Sequence, residues 1–435
     1  MRRTLLTVCA FGLGVVFFLV DSIVLGGPGQ DPAPRSVPRG IVAAATPRGP
    51  LAELRDHLER VPGDWVAWAA LGSAHVERAT RSGDPSAFPQ ADEAFTESLR
   101  IHPQGNAEAL TGRAMLAAAR HDFTAAAALA GEATAIDESD APAFGVLTDA
   151  LVELGRYDDA GVALRRMTDL SPDSSVLALT SRLRELHGDT AGARAAMDRS
   201  RADARSLAAA AAASLRLGEL AFQAGDLAAA QQGYLDSRTR DPGYLPALAG
   251  LARVAAARGD TAAAVAGYRR VLDALPLPQY ATELGDLLTS LGREQEAAEQ
   301  YAMVAAQTQL IRANGGRADL EAALFAADHG APVTALELAR REHTTRGSIH
   351  TDDALAWALH RNGRNTEALV LSERSLRLGT RDASLHFHRG MIEAARGRTR
   401  QARISLQTAL EINPYFSPLH APTARAELAR LGGAN

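Results

Sequence analysis

Lysine is missing altogether. The chain has 435 residues, its Lys+Arg count is 46, and every one of these is arginine. A Schiff-base lysine and a phosphate-clasping lysine are therefore excluded. Cysteine is almost absent. Cys9 stands alone, which excludes an intrachain disulfide framework and any zinc site built on several cysteines. Aromatic residues make up only 5% of a chain that is 46% hydrophobic. Alanine supplies much of the difference, which suits closely packed helices better than strands. There is no basic excess either: with 51 acidic residues the net charge is −5. That balance argues against a general nucleic-acid binder. The length exceeds what one core organises, so several domains or one repetitive array are expected.

The most apolar segment is at the start. Arg2 and Arg3 precede an uncharged run over residues 4–20. It is slightly short for a membrane span and slightly long for a signal-peptide core. The expectation for residues 1–25 is a transmembrane anchor or a signal peptide, its N-terminus in the cytoplasm and the rest of the chain outside. Residues 26–50 are rich in Gly, Pro and Ala and read as a disordered linker.

Beyond the linker the sequence repeats. Glycine recurs at Gly155, Gly188, Gly225, Gly259, Gly292, Gly330, Gly363 and Gly397, at spacings of 33 to 38 residues. Five residues after each glycine stands an alanine: Ala160, Ala193, Ala230, Ala264, Ala297, Ala335, Ala368 and Ala402. Apolar residues before the glycine fall at helical spacing, as in Phe144, Leu147, Leu151 and Leu154. Glycine ends that helix because it takes a left-handed backbone without steric cost. The alanine lets a second helix approach closely, with a larger residue four positions on, such as Leu164, Tyr234, Tyr268, Tyr301 or Leu406. Pro172, Pro242, Pro276 and Pro414 then close their units.

This pattern resembles the tetratricopeptide repeat, a helix–turn–helix unit of about 34 residues. In the unit 211–242 the matching residues are Leu217-Gly218, Gly225-Asp226, Ala230, Tyr234 and Asp241-Pro242. A degenerate unit, 107–138, has His121-Asp122-Phe123 where the turn glycine is expected. The resemblance implies an all-α fold, a right-handed solenoid of about ten units over residues 65–414. Residues 51–64 and 415–435 read as capping segments. Residues 307–317, with Asn314-Gly315-Gly316, read as a weak junction that divides the array into seven units and three.

The resemblance also implies that first helices line a concave face, the ninth position of each unit pointing inward. That position carries Asp149, Arg182, Glu219, Arg253 and Asp286 down the middle units, and Leu324, Trp357 and Met391 in the last three. Alternating charges of this kind either pair with one another or read a charged partner segment. Trp357, beside His360 and Arg361, is either an exposed anchor for a partner or packed between units.

Other candidates are weaker. Trp65, Trp68, Phe88 and Phe95 form an aromatic group that reads as a peptide platform or as core of the first unit. His121-Asp122 and Asp328-His329 are acid–base pairs at turns, where capping is the plainer role. His360, His386, His388 and His420 gather at the C-terminal end and open a second reading, a metal or small-molecule carrier serving a membrane transporter. Residues two apart on a helix diverge, so His386 and His388 are poorly placed to share an ion. The expectation is a non-enzymatic scaffold without a cofactor, binding a protein or peptide in its concave groove at the cell envelope.

Overall fold

The computed structural model describes residues 49–432; the anchor or signal expected at 1–25 and nearly all of the linker lie outside them. Among the described residues there are 22 α-helices and no strand. Helix α1 (Pro50–Arg60) precedes ten hairpins, numbered here as units 1 to 10. Units 1 to 4 are α2 (Trp65–Ser82) with α3 (Ala87–Ile101), α4 (Ala107–Ala119) with α5 (Phe123–Ile136), α6 (Ala141–Glu153) with α7 (Tyr157–Leu170), and α8 (Ser174–Leu186) with α9 (Thr190–Ala202). Units 5 to 7 are α10 (Leu207–Gln223) with α11 (Leu227–Arg240), α12 (Leu245–Ala257) with α13 (Thr261–Ala274), and α14 (Pro278–Ser290) with α15 (Glu294–Ala313). Units 8 to 10 are α16 (Asp319–Asp328) with α17 (Pro332–Thr345), α18 (Ile349–Arg361) with α19 (Asn365–Ser375), and α20 (Ala383–Ala395) with α21 (Thr399–Ile412). Helix α22 (His420–Gly432) covers the last of them.

The periodic residues do local work. Each of the eight turn glycines has a positive φ, between 70° and 86°. In unit 2 His121 takes that conformation instead, with φ 59°, and Asp122 caps α5 by accepting from the Ala125 amide. The eight alanines of the second helices are all buried. Their larger partners fill notches left by glycine: a Cβ on Gly218 would lie 2.7 Å from the Tyr234 ring, and one on Gly250 2.5 Å. Phe88 and Phe95 are core of the first units. Trp65 stacks on His102, and the Trp68 indole donates to the Pro62 carbonyl.

The array does not simply run on; it closes on itself. The loops entering units 8, 9 and 10 and the loop leaving unit 10 sit on the inter-helix turns of units 2, 3, 4 and 5. Arg317 donates its amide to the Arg120 carbonyl (2.8 Å) and its side chain to Asp122 (2.8 Å). The Gly347 amide reaches the Leu154 carbonyl (3.2 Å), and the Ile349 amide the Tyr157 hydroxyl (2.9 Å). Gly379 lies against Gly188, and the Asn413 amide group donates to the Phe222 carbonyl (2.9 Å). These partners are 191 to 197 residues apart, so the chain returns over itself after about six units. The expected weak junction at 307–317 falls where this second pass begins. There α15 and α16 touch less than any other successive pair of helices. Tyr301 bridges the gap by ring contacts to Phe325 (5.6 Å) and His329 (4.2 Å).

Candidate functional site

Four of the ninth positions, Asp149, Arg182, Glu219 and Arg253, belong to a ladder of ion pairs running from unit to unit. In its first part Arg182 is clasped by Asp149 and Glu153, and Glu153 also takes Arg346 from the returning pass. Arg346 in turn holds Glu342 (2.7 Å). Asp149 and Arg182 are only 3% and 7% exposed, and the other three are equally buried. Buried charges persist only when paired and hydrogen-bonded in this way. Arg216 with Glu185 continues the ladder.

Farther along, water reaches the site. Arg253 lies between Glu219 (2.7 Å) and Glu283 (2.7 Å), and these three side chains keep 23% to 28% of their surface. The Tyr234 hydroxyl donates to Glu219 (3.0 Å) and the Tyr268 hydroxyl to Glu283 (2.7 Å). Burial disfavours the Arg253 charge, but the two carboxylates outweigh it and hold its pKa well above the usual value. Asp286 does not join this group. It accepts from the Tyr301 hydroxyl (3.0 Å) and lies 3.2 Å from His329. Asp149 thus pairs with Arg182 and Glu219 with Arg253, while Asp286 pairs with neither arginine.

Trp357 is packed between units rather than exposed, at 3% of its surface. Its indole is stacked between His360 (4.9 Å) and His388 (4.3 Å), and its N–H donates to Asp328 (2.8 Å). Arg361 lies over the same ring at 5.8 Å and donates to the Ala327 carbonyl (2.9 Å). The ring contacts explain the burial: α20 and α22 bring Phe387, His388 and His420 onto it.

The C-terminal histidines are spent on carboxylates and rings. His388 pairs with Asp353 (2.9 Å), His420 with Asp328 (3.3 Å), and His360 with the Asn365 side chain (2.7 Å). Burial works against a charged His388, yet the Asp353 carboxylate prevails and its pKa is raised. Burial lowers the pKa of His360 and of His386. Among the described residues no group of three or more His, Cys, Asp or Glu side chains is placed to hold a metal.

A cleft of about 670 Å³ between α5 and α7 is floored by Phe144, Leu147, Leu151 and Leu154. Glu138 and Arg166 stand at one end, 3.7 Å apart, and Arg156 and Asp159 at the other, 2.7 Å apart. Among the described residues no helix is long and apolar enough to cross a membrane.

Sequence reasoning missed Glu153, Glu283 and Arg346. Glu153 lies four residues after Asp149 on the same helix face and was within reach of that reasoning. Arg346 is in a loop almost two hundred residues from its partner, where no repeat rule applies.

Residues 117–183 match the tetratricopeptide repeat family. No curated protein matches the sequence. Among solved structures, the APC/C hetero-tetramer Cut9-Hcn1 is similar at 14% identity, covering 88% of this chain and 92% of that one, with a TM-score of 0.38. Human IFIT1, as a dimer with m7Gppp-AAAA, is similar at 13% identity over 76% of each chain, with a TM-score of 0.48. Yeast Tom70 is similar at 13% identity over 88% of this chain and 84% of that one, with a TM-score of 0.36. Likeness of this degree speaks to neither partner nor mechanism.

Proposed function

We propose that this chain, a tetratricopeptide-repeat protein, is a non-enzymatic scaffold that holds a protein or peptide partner on its concave face. One observation carries the reading. Along the ladder of inward charges, Glu219, Arg253, Glu283 and Asp286 remain partly open to water while the first part is buried. A partner segment with its own charges can exchange bonds with that open stretch, whereas Asp149 and Arg182 serve it as a preformed support. Trp357, His360 and Arg361 stabilise the C-terminal units behind it. The uncharged run after Arg2 and Arg3 supports a membrane-associated location with the array outside the cytoplasm.

The test is photocrosslinking in intact membranes, with a photoreactive residue at Glu219 or at Asp286. The expected result is a discrete adduct that competes with the unlabelled chain and is lost in the Arg253→Glu variant. Adducts with lipid and solvent alone, at both positions, would contradict a concave binding site.

A further inference from the structure

The contact between units 3 and 9 has the anatomy of a peptide complex within one chain. After α17 the backbone is extended at Arg346 (φ −132°, ψ 125°) and again at Ser348 (φ −75°, ψ 162°). This strip lies across the turn of unit 3 and is held there by a set of groups that converge on it. The Arg346 guanidinium meets the Glu153 carboxylate, donates to the Glu153 carbonyl (3.3 Å) and sits 4.7 Å from the centre of the Phe123 ring. The Gly347 and Ile349 amides meet the Leu154 carbonyl and the Tyr157 hydroxyl. Gly155 lets the strip come this close, since a Cβ there would overlap the Gly347 carbonyl. A carboxylate, an aromatic face and a backbone acceptor around one guanidinium make a pocket suited to arginine rather than lysine.

The same chemistry recurs along the edge. Gly316-Arg317 sits on the turn of unit 2, and the loop from Arg377 to Gly379 reaches the turns of units 3 and 4. Arg377 lies 5.6 Å from the Tyr157 ring. By contrast, the glycine turns at Gly259, Gly292, Gly330, Gly363 and Gly397 have nothing against them. The block that delivers these loops, units 8 to 10, has its own core from Ala323 to Leu431 and is joined to unit 7 through the thin junction at Asn314-Gly315-Gly316. The edge contact also carries apolar packing, since Ile349 and Leu385 share a buried cluster with Leu151, Val152 and Leu186, and opening the array exposes that cluster together with the strip.

We infer that the turn edge built on Phe123, Glu153, Leu154 and Tyr157 is a recognition site for an extended Arg-Gly segment, which the chain's own Arg346-Gly347 strip fills in the closed form. A partner carrying such a segment competes with the strip and opens the array. The site lies apart from the open stretch of the concave face, and it stands whether or not a partner binds there.

The probe is the peptide acetyl-Thr-Arg-Gly-Ser-Ile-amide, titrated by calorimetry into the full chain. The tethered strip acts at an effective concentration of order mM, so the native chain shows no saturation below ~1 mM peptide. The Arg346→Ala chain binds the peptide saturably, at least about tenfold tighter than a peptide with lysine in place of arginine, the worth of one charged fork. Adding Glu153→Gln removes that preference. If Arg346→Ala does not fold, Arg346→Lys replaces it in the same titration. A folded variant of either kind that ignores the peptide, or binds the arginine and lysine forms equally, overturns the inference.

Discussion

Asp149 and Arg182 occupy the same repeat position as Glu219 and Arg253, and they form the same kind of pair. Their surroundings differ. The first pair is buried because the returning pass lays Arg346 and Glu342 over it, while the second keeps about a quarter of its surface. The residue at a repeat position thus decides which bond can form; the contacts between successive passes decide how much that bond weighs. A solenoid whose units met only their neighbours would treat the two pairs alike.

The largest expected effect separates the pairs directly. Arg182→Leu leaves Asp149 buried without its partner and should cost about 3–5 kcal/mol. Arg253→Leu should cost about 1–2 kcal/mol, since water already screens Glu219 and Glu283. Urea titration of both variants checks the order, and equal costs would erase the distinction.

Gly155 and Gly363 both have φ near 75°, so an alanine at either carries the same left-handed strain of about 1–2 kcal/mol. Only at Gly155 does the new Cβ meet the opposing pass; at Gly363 it meets nothing. Gly155→Ala should therefore exceed Gly363→Ala by a further ~1–3 kcal/mol of overpacking, read as the gap between their melting temperatures.

The smallest effects are in pH, and they carry opposite signs at the two ends of the array. His388 has a folded pKa above the unfolded value of about 6.5, so its stabilisation is complete below that pH and is lost as pH rises through the folded pKa. His75 is the reverse. Burial, with Arg78 and Arg55 nearby, pushes its pKa down to about 4. Between about pH 6.5 and 4 the unfolded chain takes a proton that the folded chain refuses, and stability falls as pH drops. His388→Gln should lower the melting temperature more at pH 5.5 than at pH 8, and His75→Gln should flatten the acid-side loss.

Much of the fold was legible in the sequence because the signals are local. A turn glycine, an alanine five residues on and a capping Asp at the next helix each act within one unit, and the hairpins follow from them. His121 shows that the rule tolerates another residue when a polar side chain accepts the left-handed turn. The candidate site was only half legible. Period and charge pointed to Asp149 with Arg182 and to Glu219 with Arg253, but not to Asp286 with His329, because Tyr301 and a thin junction intervene there. Trp357 looked like an anchor because nothing in its own unit announces that two later helices cover it. The closure was not legible, since contacts 191 to 197 residues apart lie outside any repeat. One trace of it is present in Asp122 at the turn of unit 2 and Arg317 in the loop entering unit 8, opposite charges that meet across the closure.

The array meets itself again after six units. Double electron–electron resonance tests it on the full chain, with Cys9→Ser and spin labels at Asp158→Cys and Thr345→Cys, two exposed positions beside the contact. A closed array gives a narrow distribution at well under half of the roughly 50–60 Å that six steps of 8–10 Å would impose. A broad distribution centred near that longer value would contradict it.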